Sequence, residues 1–229
     1  MGYYRLERLM LGYLQNLAQT LDITSLLGAL LRAAAVLLCL TVHEVCHGLA
    51  AYGLGDPTAK SMRRLSLNPL HHIDWLGLAM MFFVGFGWAK AVPVDPRYFK
   101  KPKEGMAITA LAGPVSNFLL AIVAFGIAKV IYLYAPYSTG MEIFFNFLLY
   151  TLAPLSVGLG LFNLLPIPPL DGSKVLGALL PDTTYFQLMR YERYGMLLLL
   201  ALSYFGVTGN LISGAIQSVY LGLFNLFFY

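Results

Sequence analysis

The pentad His43-Glu44-Val45-Cys46-His47 lies near the end of an apolar run covering residues 25–51. At about 1.5 Å per residue, a helix of that length crosses a bilayer. Ionisable side chains inside such a helix are costly among hydrocarbon, so the fold must bring other polar groups against them. Imidazoles at i and i+4 share one helix face and can bind one metal ion, while the intervening glutamate can reach a water on that ion. With four histidines and five glutamates in 229 residues, chance supplies such a pentad on the order of 0.001 times. The competing reading is two core histidines satisfied by neighbouring carbonyls. It is weakened because ionisable residues within spanning helices are usually functional.

The rest of the chain suits that setting. It is 59% hydrophobic and 11% charged, whereas soluble domains carry about a quarter charged residues. The fold class expected is an all-α polytopic membrane protein forming a single domain over residues 1–229. Apolar runs at 25–51, 106–134, 142–165, 194–207 and 211–228 give about five spanning helices. The 106–134 run is interrupted by Gly113-Pro114. Residues 1–22 read as an interfacial helix, with Leu6, Met10, Tyr13, Leu14, Leu17 and Leu21 on one stripe. Residues 23–180 form the core that holds the pentad, and 181–229 the C-terminal helices.

Two further segments are shorter. Residues 75–89 number fifteen and contain Gly77, Gly85 and Gly87, below the ~20 that a spanning helix needs, so a re-entrant segment is predicted. Residues 58–67 and 89–94 read as extended, a small membrane-associated β-hairpin or edge-strand element. Cys39 and Cys46 stand about 10 Å apart along one helix, too far for an intrahelical disulfide. Basic residues cluster in loops and form no nucleic-acid face.

A catalytic zinc has three protein ligands and an open position, so His43 and His47 need a distant partner. Asp171 is the best candidate. It follows Asn163-Leu-Leu-Pro166-Ile-Pro168-Pro169-Leu170, a broken backbone that membrane proteins tolerate only where it is buried or lines a cavity. The alternative is that Asp171 caps the helix starting near Gly172.

His43-Glu44-x-x-His47 combined with Asn163-x-x-Pro166-x-Pro168-x-x-Asp171-Gly172 resembles the site-2 protease family of intramembrane zinc metalloproteases, peptidase family M50. Supporting pieces are Gly55-Asp56-Pro57-Thr58-Ala59, Asn68-Pro69-x-x-His72-x-Asp74, Phe86-Gly87-Trp88-Ala89-Lys90-x-Val92-Pro93-Val94 and Ala112-Gly113-Pro114-x-x-Asn117. The resemblance implies one zinc per chain, held by His43, His47 and Asp171, with Glu44 as catalytic base. It makes Asn163 a contact to substrate or oxyanion. His72 and Asp74 are expected to fix loops, and Asn68 and Asn117 to be structural.

The function implied is a zinc-dependent intramembrane endopeptidase. Its partners would be the lipid bilayer and a membrane-protein substrate with a transmembrane helix. A catalytically silent binder or chaperone of the same fold is the alternative, and a zinc transporter a more distant one. No room is seen for an inserted PDZ or appended CBS domain. For the ligands to meet, the first helix and the 142–165 helix must run in the same direction, as they do if residues 75–89 re-enter. Eleven of the fifteen basic residues then share one side, which the positive-inside rule makes cytoplasmic, with the site opening toward it.

Overall fold

The computed structural model describes residues 26–77, 80, 87–190 and 192–229. The interfacial helix expected over residues 1–22, and the interior of the 75–89 run, lie outside the described residues. Four helices are long and apolar enough to cross a membrane: α1 Leu26–Gly53, α3 Pro102–Tyr134, α4 Thr139–Asn163 and α8 Val207–Phe228. Shorter helices are α2 Thr58–Ser61, α5 Asp171–Leu179, α6 Asp182–Arg190 and α7 Glu192–Tyr204. The run expected to supply a fifth span includes α7, which is not among the candidate spans found in the described residues.

Main-chain and side-chain bonds give the directions of the first three long helices. His47 of α1 bonds the Thr109 carbonyl of α3, and a Cβ added at Gly113, one turn further along α3, would collide with the His47 ring and also reach the His43 ring at 2.7 Å. Rising numbers on α3 therefore pair with falling numbers on α1, so the two are antiparallel. Ser156 of α4 donates to the Asn117 carbonyl at 2.8 Å, and Gly160 sits against the Pro114 carbonyl. By the same reasoning α4 is antiparallel to α3 and parallel to α1, as the shared ligand site requires.

The chain between α1 and α3 thus leaves and returns at one end of that pair. Both ends of the 75–89 run also meet. Ile73 and Ala89 form an isolated antiparallel bridge, the Lys90 N–H donates to the His72 carbonyl at 2.9 Å, and a Cβ at Gly77 would collide with the Trp88 backbone.

That bridge is all that stands where the β-hairpin was expected; no strand forms among the described residues. The extended reading of residues 58–67 is corrected at its start, where Thr58–Ser61 is helical. Asp56 accepts the Thr58 N–H at 2.9 Å in an Asx-turn, Pro57 presets a helical φ, and the Ala59 and Lys60 that follow are good helix formers, so the chain takes a turn of helix here.

Two prolines act differently from one another. Pro114 does not interrupt α3, which runs through it. It is fully buried, and the Ser116 hydroxyl donates to the Gly113 carbonyl at 2.6 Å, which keeps a polar group next to the proline satisfied. In α4 the turn Phe147–Leu152 is π-helical, just before Pro154. A proline ring clashes with the carbonyl four residues earlier, here Tyr150, and widening the turn relieves that clash.

The core lies where α1, α3 and α4 cross, with α8 laid over it. Its residues are mainly small: Ala35, Ala121, Ala124, Ala128 and Ala153 are buried beside Phe125, Leu149 and Val157. Small residues let helix backbones approach, which is how helices gain packing energy where lipid removes the hydrophobic drive. Phe125 stacks on Phe227 of α8 with centroids 5.9 Å apart.

Because α3 passes so near the histidine rings at Gly113, Gly113→Ala should force α1 and α3 apart at a cost of about 1–3 kcal/mol. The thermal midpoint of the detergent-solubilised protein should fall by roughly 2–10 °C. Gly209→Ala, where an added Cβ meets nothing within 4 Å, serves as control. Equal midpoints for the two variants would refute the close-packing account.

Candidate metal centre

α1 presents His43 and His47 one turn apart, buried, with ring centroids 4.5 Å apart and planes at 89°. The Thr109 carbonyl lies 2.7 Å from His47 Nδ1. A carbonyl only accepts, so Nδ1 donates and the neutral ring carries its lone pair on Nε2. That atom is 3.0 Å from His43 Nε2.

The third group arrives from the other side of α3. Pro166, Pro168 and Pro169 stop α4 by removing N–H donors, and α5 then begins at Asp171. A Cβ at Gly172 would collide with the Leu164 carbonyl, so glycine there lets α5 start against the end of α4. Asp171 is the first residue of α5, one position after the N-cap Leu170. Its Oδ2 lies 3.1 Å from His43 Nε2 and 3.2 Å from His47 Nε2.

Three ligand atoms of this set thus lie within hydrogen-bonding distance of one another, buried, and Asp171 Oδ2 has no hydrogen-bond donor. A tetrahedral zinc with bonds of about 2.0–2.1 Å spaces its ligand atoms roughly 3.3 Å apart. The observed spacing and the His47 tautomer fit that ion. The His47–Thr109 bond is the orienting contact that metal-binding imidazoles use, whereas His43 Nδ1 has no such partner among the described residues.

Glu44 is buried and its Oε2 accepts the Val92 N–H at 2.7 Å. It lines a cavity of about 500 Å³ together with His43, His47 and Asp171. Asn163, the last residue of α4, lines the same cavity and donates one amide N–H to the Leu159 carbonyl at 3.0 Å. Trp88, Val92 and Lys174 also face it.

Other candidates from the sequence fall elsewhere. His72 bonds the Ser66 carbonyl at 2.8 Å, Asp74 accepts the Gly77 N–H at 2.9 Å, and Asn68 accepts the Leu70 N–H at 3.1 Å; all three fix the loop. Asn117 is buried in the core. The contributions that sequence reasoning missed are the Thr109 carbonyl and the Val92 N–H, because every residue has these groups. Gly113 carried a signal, since a glycine beside a proline inside a long helix needs a packing reason.

The chain's similarities agree with this centre. The model of peptidase family M50 matches residues 127–205. YwhC of Bacillus subtilis, whose name carries the words zinc metalloprotease, is 40% identical over 167 residues, covering 71% of this chain and 74% of the relative. Rip2 of Mycolicibacterium smegmatis, named in the same terms, is 30% identical over 193 residues, 81% of this chain and 71% of the relative. Zinc metalloprotease MJ0392 of Methanocaldococcus jannaschii is 37% identical over 87 residues, 35% of this chain and 22% of the relative. No solved structure matches the chain significantly. Identity of 40% across most of both chains places this protein in peptidase family M50, the site-2 protease family, and makes it a zinc metalloprotease.

Proposed function

We propose that the protein is an intramembrane endopeptidase that hydrolyses peptide bonds within or near transmembrane segments of membrane proteins. One observation carries this reading: the buried His43–His47–Asp171 cluster lies between helices long enough to span a bilayer, with Glu44 on the same cavity. His43 sits ten residues from the end of α1, about 15 Å along the axis.

His43, His47 and Asp171 would hold the zinc, which would supply a Lewis acid able to lower the pKa of a water to about 7. Glu44 takes the proton of the attacking water and delivers it to the leaving nitrogen. Val92 keeps that carboxylate aimed by holding Oε2. Asn163, with one amide N–H still available beyond its Leu159 bond, donates to the oxygen on which charge develops. The apolar cavity wall excludes competing water. A substrate helix must unwind before attack, because its peptide groups are otherwise enclosed in helical hydrogen bonds.

Orientation follows from charge. The connection between α1 and α3 carries Lys60, Arg63, Arg64, Lys90, Arg97, Lys100 and Lys101, and a loop so basic stays in the cytoplasm. The site therefore opens on that side. A single domain, with the core over residues 23–180, suits a protein of this size.

Glu44→Gln should keep one zinc per chain and lower the cleavage rate of a reconstituted membrane substrate by about 10²–10⁴-fold. Wild-type turnover by purified Glu44→Gln protein would remove Glu44 from its role. Asn163→Ala should lower kcat by about 10²-fold with little change in KM; a change confined to KM would assign Asn163 to ground-state binding instead. For orientation, a cysteine introduced at Lys60 should react with a membrane-impermeant maleimide in inverted vesicles and not in intact cells, and the opposite pattern would reverse the proposed topology.

A further inference from the structure

The buried carboxylate of Asp56 has no part in the metal centre. It is 0% exposed, and every bond it makes is one it accepts. Oδ1 takes the Thr58 N–H at 2.9 Å and the Thr58 hydroxyl. Oδ2 takes the Asp95 N–H at 2.7 Å. No ion pair to Asp56 forms among the described residues, so its burial is sustained by these donors alone.

The chemistry requires an acid here. Both carboxylate oxygens face backbone N–H groups, and an asparagine would have to turn its own NH2 toward one of them. A carboxylate is the side chain of this size that accepts on both sides.

The Asp95 bond ties down the segment that holds Glu44. Three residues upstream, the Val92 N–H donates to Glu44 Oε2 at 2.7 Å. Pro93, with its φ locked, lies between the two contacts. On the other flank, the Arg64 guanidinium donates to the Lys90 carbonyl at 2.7 Å. Val92 is thus bracketed by two anchors, and the downstream one ends on a residue withdrawn from solvent. Glu44 in turn has one oxygen anchored and the other without a bond among the described residues.

We propose that Asp56 is a positioning residue for Glu44, acting through Asp95 and Val92 to hold the backbone donor that aims the carboxylate into the cavity. The proposal rests on the reading of Glu44 as the base. It gives the Gly55-Asp56-Pro57-Thr58-Ala59 stretch a role in turnover, although its nearest member lies eight positions beyond His47.

The test uses the full chain in proteoliposomes with a membrane-helix substrate and compares wild type, Asp56→Asn, Val92→Pro, the double variant and Glu44→Gln. Asp56→Asn should lower kcat about 10–100-fold, with KM within about 2-fold and zinc retained. Because both single changes act on one linkage, the double variant should lose no more than Val92→Pro alone. Wild-type kcat in Asp56→Asn, or losses that multiply in the double variant, would overturn the proposal. Should Asp56→Asn lose its zinc or its fold, replacing the Asp95 amide by an ester in cell-free synthesis deletes the same bond; lowered kcat supports the linkage, and wild-type kcat overturns it. Activity in Glu44→Gln is a separate outcome that refutes the base assignment itself.

Discussion

Two imidazole nitrogens and a carboxylate oxygen, buried within 3.2 Å of one another, repel unless a cation lies among them. The Thr109 carbonyl sharpens the constraint, because it takes the one proton that a neutral His47 ring carries. Everything else in the core answers to this need. A polar cluster inside hydrocarbon is stable only when enclosed, and α1, α3 and α5 enclose it.

Enclosure demands close approach. α3 meets the histidines at Gly113 and meets α4 at Gly160, while alanines line the remaining helix contacts. The same economy places Asp171. Three prolines halt α4, Gly172 lets α5 start against its end, and the Asp171 carboxylate at the head of α5 reaches the imidazoles. Around Glu44 the structure uses main chain instead of side chains, with the Val92 N–H on the base and Asp56 on the Asp95 N–H.

Much of this was legible beforehand, and the reasons differ by residue. His43, Glu44 and His47 could be read because helical spacing alone puts them together. Asp171 could be read as a ligand or a cap, and only contact distances separate the two. The parallel course of α1 and α4 followed from requiring the ligands to meet. The fifth span expected at α7 is not among those that the described residues supply. The hairpin is not found among the described residues: Thr58 bonds Asp56 at the head of a helical turn, and one Ile73–Ala89 bridge is the pairing present. Pro114 was read as a break, but burial against neighbouring helices keeps α3 continuous.

The sequence by itself determined the chemistry: a pentad with one metal-binding face, an acid after a proline-broken helix end, and apolar runs that embed both. These depend on spacing and side-chain type, which are local. Tertiary structure alone decided which main-chain groups serve the site. Thr109 supplies the carbonyl that sets the His47 tautomer, Val92 supplies the N–H that holds Glu44, and buried Asp56 braces that segment from 39 positions away. Backbone donors and acceptors are the same in every residue, so their roles arise only when packing brings particular ones within bonding distance.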